Sequence, residues 1–308
     1  MTATHHHKTY SFCLSSRLAW EFRPCNGSDE DVAAWVDRFA SYMGLEYGAS
    51  SLARRLWFGK MTAGDGKGQS SRFLPGLPAH VSAGGWRAQG NSGMMLLQHP
   101  DVRDVYCGLF PDDKPAAVRM RRPLVPVFEE VIRAGGLPLH GALVERRGAG
   151  LILVGRSGAG KSTCCRRFPP GWQVLGDDLS IVVRTDDGGF RAQPLPTWSA
   201  FESGGNGWPC RANHSVPLRA FFFLQQVPDN GVESLAGAKT ALVIQRACEE
   251  ALIPFDLFHP DQSSFLDRHI FANAVSLVSA VPAFRLRVSL DGRFWEKIDD
   301  TLGKVSRG

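Results

Sequence analysis

The sequence predicts an α/β protein in two parts, a small N-terminal α/β module over residues 1–122 and a larger α/β domain over residues 123–308. Three observations carry that expectation. Apolar, β-branched runs of strand length alternate with segments of helical period along the chain. A stretch rich in Gly, Ser, Ala and Pro, residues 59–93, interrupts the first part. The signature G-x-x-x-x-G-K-[ST] sits between an apolar run and a short helical segment in the second part.

Taken in order, residues 9–25 carry β-branched and aromatic residues in short runs and read as strands. Ser28 opens SDEDVAAWVDRFASYMGL, with Asp31 three residues later in a capping-box-like start. Val32, Trp35, Val36 and Phe39 then fall at helical spacing, predicting an amphipathic helix that ends near Gly44. The 59–93 stretch has weak periodicity and is expected to be a flexible surface excursion, and MMLLQHP and VYCGLF follow as a short strand pair. Pro123 opens a helix whose apolar face is Leu124, Val127, Phe128, Val131 and Ile132, stopped by Gly135 and Gly136. Beyond it, LPLHGALVER and AGLILV read as strands, STCCRRF as a helix cut off by Pro169 and Pro170, and WQVLG and LSIVVR as strands flanking Asp177 and Asp178. LRAFFFLQQ reads as a buried strand, IFANAVSLVSAV as a helix, and the C-terminal run as a strand, an Asp-Gly turn and a last helix.

Composition narrows the function classes. Apolar residues make up 44% and charged residues 21% of the 308-residue chain, the balance of a folded globular protein rather than a disordered or fibrous one. The net charge of +5 is spread without a basic tract, which does not call for nucleic acid. No run is long and apolar enough for a membrane span, and MTATHHHKTY lacks the core of a secretion signal, so a cytoplasmic protein is expected. Seven cysteines, with Cys164 and Cys165 adjacent, suit free thiols. A homo-oligomer stays open at this level.

The chemistry concentrates between residues 137 and 184. Residues Gly155, Arg156, Ser157, Gly158, Ala159, Gly160, Lys161 and Ser162, with Thr163 next, satisfy the signature and follow the strand-like LILV that its context requires. Glycines let backbone N–H groups turn toward phosphate oxygens, the helix starting at Lys161 directs its positive end there, Lys161 reaches the β and γ phosphates, and Ser162 holds Mg²⁺. A P-loop nucleotide-binding domain is therefore expected, with ATP and Mg²⁺ as cofactors. Asp177 and Asp178, after WQVL, would reach the same edge if that strand lay beside the LILV strand. One carboxylate there can serve the metal and another can take the proton of an attacking hydroxyl; a solvated turn is the plain alternative. His140 either assists phosphate binding or is an ordinary core histidine. His5–His6–His7 reads as a terminal tail, and Arg119, Arg121 and Arg122 as a solvated face or a docking point for an acidic peptide.

The run LHGALVERRGAGLILVGRSGAGKST followed by WQVLGDDLSIVV resembles the catalytic domain of the HPr kinase/phosphorylase family, whose core is related to that of phosphoenolpyruvate carboxykinase. It is more similar still to HPr-kinase-like proteins found beside peptide-modification genes, such as the kinase-like member of the SynChlorMet cassette and the kinases of lasso-peptide clusters. The resemblance implies phosphate transfer from ATP to a serine hydroxyl of a small protein or peptide. It puts Lys161 on the phosphates, Ser162 on Mg²⁺, His140 beside the transferred phosphate, Asp178 as proton acceptor and Asp177 in support. It also implies a metal-binding acid near Glu202, although PTWSAFESGG does not reproduce the family's Glu-x-Arg-Gly motif, and KTALVIQRACEE offers no counterpart of the family's phosphorolysis arginine. A nucleotide-binding accessory protein without transfer activity is the alternative reading.

Overall fold

In the computed structural model, residues 8–25, 30–48, 53–61, 85–91, 94–109, 120–197, 209–252 and 260–305 are described. They form a mixed α/β structure with two sheets, one of six strands and one of eight. The chain divides into two compact units, the first within Met1–Val127 and the second starting at Phe128. That division falls inside a helix, α2 (Val125–Arg133).

In the first unit the strands β1 (Tyr10–Cys13), β2 (Ala19–Pro24), β3 (Arg54–Lys60), β4 (Arg87–Asn91), β5 (Met94–His99) and β6 (Val102–Leu109) lie in the order β1-β2-β3-β6-β5-β4. β2 and β3 are parallel, which requires a crossover, and α1 (Glu30–Met43) supplies it. Its buried stripe of Val32, Val36, Phe39 and Met43 follows from their helical spacing, and Gly44, at φ 62°, ends the helix where a side chain would be strained. Phe39 meets Phe22 of β2 edge-on at 5.1 Å, and Trp35 meets Phe58 of β3 at 5.2 Å, so the alternate residues of the strands build one aromatic core under the helix. Ser28 lies outside the described residues. The expected excursion over 59–93 is shorter than the composition implied: its ends belong to β3 and to β4, because Arg87–Asn91 pairs with Met94–His99 and its backbone is satisfied in the ladder. Residues 62–84 and 92–93 lie outside the described residues.

The second unit is organised on β7 (Leu137–Arg146), which is paired along both edges. On one side it meets β8 (Ala149–Val154) through a two-residue turn in which Arg147 and Gly148 have φ 52° and 76°, the conformation that matches the twist of a hairpin. Its other edge is shared. β9 (Trp172–Gly176) takes Leu143–Arg146, and β10 (Leu179–Arg184) takes Leu137–His140. The condition that WQVL lie beside the LILV strand is not met: it lies on β7, since both edges of β8 are occupied, by β7 and by the parallel strand β12 (Val216–Gln226). Beyond β12 come the parallel β14 (Ala283–Val288) and the antiparallel β13 (Gly231–Leu235), while β11 (Phe190–Leu195) pairs with both β10 and the start of β12 and so curls the sheet on itself.

Helices α3 (Lys161–Arg167) and α6 (Phe294–Val305) cover a core of Val144, Leu151, Leu153, Phe222 and Leu286 with Cys164, Cys165, Phe294 and Ile298. The two adjacent cysteines are thus buried packing groups, and burial pushes the Cys164 thiol up to about 11 and that of Cys165 higher still. Helix α4 (Ala238–Leu252) packs on β7, with α5 (Pro260–Ala280) against it. Among the described residues no helix is long and apolar enough to cross a membrane.

Candidate active site

The glycine-rich loop leaves β8 at Val154 and enters α3 at Lys161. Its shape needs its glycines. Gly158 and Gly160 have φ 80° and 93°, in the left-handed region, and a Cβ on Gly155 would stand 2.8 Å from Ala159 Cβ. Ala159 N–H donates back to Arg156 O at 2.9 Å, closing the turn, and Gln226 at the end of β12 donates its amide to Gly158 O at 3.3 Å. Arg156 and Ala159 are thus joined through their backbone as parts of the turn.

Lys161 is 7% exposed and folds back into this loop, donating to Gly155 O at 2.6 Å and to Arg156 O at 3.4 Å. Burial holds its ammonium below the ordinary lysine value, while the carboxylates of Asp178 and Glu250 pull it the other way. The helix that follows has only seven residues, so its dipole adds little and the lysine with the loop amides carries the positive field.

Asp177 and Asp178 reach the loop across β7. Because β9 and β10 share one edge of that strand, the two residues between them stand opposite Gly141 and Ala142, and on the far edge Gly141 is paired with Val154, the last residue before the loop. Gly141 fits there because a Cβ would lie 2.7 Å from Ile152 Cγ2, and Ser180 donates its hydroxyl to Gly141 O at 2.9 Å. Asp177 is 9% exposed and accepts a hydrogen bond from the Thr197 hydroxyl. Asp178 is more open and faces His140 Nε2 at 3.5 Å. On its other side His140 Nδ1 lies 2.9 Å from Glu250 Oε2 of α4, and since the carboxylate accepts, the ring donates. His140 is therefore a bridge between two carboxylates rather than a core residue.

A cleft of about 320 Å³ joins these parts, lined by His140, Ser157, Gly158, Gly160, Lys161, Ser162, Thr163, Asp177, Asp178, Thr197 and Gln226. The structure thus brings together the loop, the lysine, the acidic pair and the histidine that the sequence singles out. Glu202, His5–His7 and Arg119 lie outside the described residues. Three contributors escaped the sequence reading. Thr197 and Gln226 sit at strand ends with no motif around them, and Glu250 stands three residues after the buried Ala247, at the margin of an apolar stripe where acids are common. Among the described residues, no group of three or more His, Cys, Asp and Glu side chains forms a metal site by itself. The oxygen donors of Ser162, Asp177 and Asp178 nevertheless suit Mg²⁺, which is ordinarily held by one or two protein oxygens together with phosphates and waters.

No curated protein matches this sequence. The SynChlorMet cassette protein ScmC family matches residues 105–303, a span that holds the whole cleft and well over half of the 308 residues, and the chain belongs to that family.

Proposed function

We propose that the cleft binds Mg-ATP and transfers its γ-phosphoryl group to a serine hydroxyl of a small protein or peptide. The observation that carries this reading is the meeting of Lys161 and its glycine loop with Asp178 in one cleft. A positively charged, amide-rich turn is what a triphosphate requires, and a carboxylate beside it is what an alcohol nucleophile requires. In the reaction the hydroxyl oxygen forms a bond to the γ-phosphorus, the bond from that phosphorus to the β,γ-bridging oxygen breaks, ADP leaves, and the hydroxyl proton passes to the Asp178 carboxylate. His140, held by Glu250, stands beside Asp178 and next to the transferred group. Asp177, locked by Thr197, and Ser162 would hold Mg²⁺, which when bound neutralises phosphate charge.

On this reading the second unit is a P-loop domain of the HPr kinase and phosphoenolpyruvate carboxykinase type. Membership of a cassette-protein family, in a peptide-modification context, supports a peptide or small protein as the acceptor. The test is incubation of candidate cassette peptides with γ-labelled ATP and Mg²⁺, followed by mass spectrometry. A mass gain of one phosphoryl group on serine, lost with Lys161→Ala, is the expected result. ATP binding without transfer to any peptide would point to the accessory role instead.

A further inference from the structure

Six large apolar side chains are exposed among the described residues, and four of them stand on two neighbouring helices, Leu242 and Val243 on α4 and Phe271 and Val275 on α5. Each of the four is between 40% and 48% exposed. Single exposed apolar residues are ordinary, whereas a group on adjoining helices marks a face. The two helices pack on each other, and the inner stripe of α5 is already in use. Leu266, Ile270, Ala274 and Leu277 are buried, and Asn273 donates its side-chain amide to Ile132 O at 2.7 Å and to Gly136 O at 3.0 Å. Phe271 and Val275 therefore belong to a second apolar side, outside the surface that folding employs.

That second side carries no charge. From Ile270 to Ala280 eleven successive residues include no Asp, Glu, Lys or Arg. Phe271, Val275 and Ser279 recur every four residues and so share one side of the helix. Ser279 turns its hydroxyl back to Val275 O at 2.8 Å, which leaves little polar surface facing outward. A helix that is apolar on both sides is one that is covered on both sides.

We propose that this face pairs with the same face of a second copy of the chain, across a two-fold axis close to Asn273 of α5. Charge selects a second copy as the occupant. Residues at a two-fold axis meet their own counterparts, so a charge placed there would face its like. The middle of the face has none, and its exposed charges stand off the axis, Asp267 and Arg268 more than a turn before Asn273 and Lys239 and Arg246 on α4. With the two α5 helices antiparallel, Phe271 of each copy meets Val275 of the other, and Asp267 and Arg268 come level with the uncharged end of the other α5 near Ser279, so no like charges oppose. Area agrees. Helices of 15 and 21 residues are about 22 and 31 Å long, and side by side they present roughly 600 Å² in projection, the scale of the ~800 Å² of accessible surface that each partner gives to a standard interface.

Sedimentation velocity on the full chain, from low to high micromolar concentration, tests the pairing. A species of twice the mass of one chain is the expected result. Phe271→Glu would set a carboxylate against Val275 of the other copy and is expected to weaken dimerisation at least about a hundredfold, with an unchanged circular dichroism spectrum because the position is exposed in the single chain. Val275→Glu should do the same. A chain that stays monomeric over the whole range would overturn the proposal and leave the face to a different protein, and a dimer that persists in both variants would overturn it by placing the interface elsewhere. Should the glutamate variants fail to fold, Ala272→Cys, one residue from the axis, should be linked to its counterpart by a short bismaleimide beyond the level seen in the parent chain, whose Cys13 is exposed. No additional linkage would reject the two-fold pairing.

Discussion

At the scale of the residue, the proposed transfer rests on Asp178, with His140 beside it. Asp178→Asn keeps size and hydrogen-bonding capacity but removes the base, so nucleotide should still bind while transfer falls by ~10²–10⁴ in single-turnover assays. On the proposed reading Glu250 acts on the same chemistry at one remove, by accepting the Nδ1 hydrogen bond of His140 at 2.9 Å. Glu250→Gln retains an acceptor oxygen and is expected to lower turnover by only about tenfold, less than Asp178→Asn, with unchanged ATP affinity. A larger loss than that of Asp178→Asn would place Glu250 in the reaction itself. In the first unit Tyr10 donates its hydroxyl to Asp37 Oδ1 at 2.7 Å, and burial, with Asp37 beside it, raises its pKa above the ordinary 10.0. A raised folded-state pKa gives stability that is complete below the unfolded value and is lost as pH rises past it. Urea unfolding followed by first-unit tryptophan fluorescence should therefore show a decline above about pH 10, to which the raised Tyr106 and Cys25 also contribute, that is shallower in Tyr10→Phe, and the variant should be less stable at neutral pH by about 1 kcal/mol.

At the scale of the element, the unit that matters is the hairpin of β7 and β8 with the loop that leaves it. Of its three glycines in the left-handed region, Gly148 closes the two-residue turn at φ 76°, whereas Gly158 and Gly160 shape the loop at φ 80° and 93°. Alanine in place of Gly148 or Gly160 meets comparable backbone strain, about 1–2 kcal/mol. Gly148 has open space around it, whereas a Cβ on Gly160 would lie 3.1 Å from Gln226 Nε2 inside the cleft. Both variants should lose similar thermal stability, but only Gly160→Ala should also lose nucleotide affinity. Calorimetric melting alongside ATP titration separates the two effects, and equal ATP binding in both would show that the loop's shape is not what binds phosphate. The helix that follows is too short to substitute for the loop.

At the scale of the whole molecule, charge bears on the direction of the proposed transfer. Among the described residues that line the cleft, Lys161 is the sole lysine or arginine. Running the transfer backwards would bring inorganic phosphate against a phosphoserine, two anions that one lysine does not offset. Phosphorylated product incubated with inorganic phosphate should release no pyrophosphate, as read by a coupled assay. Robust release would mean that further cations enter the site.

The sequence by itself determined the local structure of this protein and the chemistry of its loop. Helix α1, the hairpin of β7 and β8, and the turn from Gly155 to Ser162 are each specified by neighbours in the chain, through helical spacing, continuous apolar runs of strand length and glycines in the left-handed region, so a single sequence suffices to read them. Only the tertiary structure decided that WQVL pairs with β7 instead of β8, that the acidic pair reaches the loop across that strand, and that Glu250 on a distant helix holds His140. Those contacts join residues as far apart as His140 and Glu250. Strand order and helix docking are settled by which edges and apolar faces remain unpaired once the nearer pairings form, and no local pattern of residue types records that outcome.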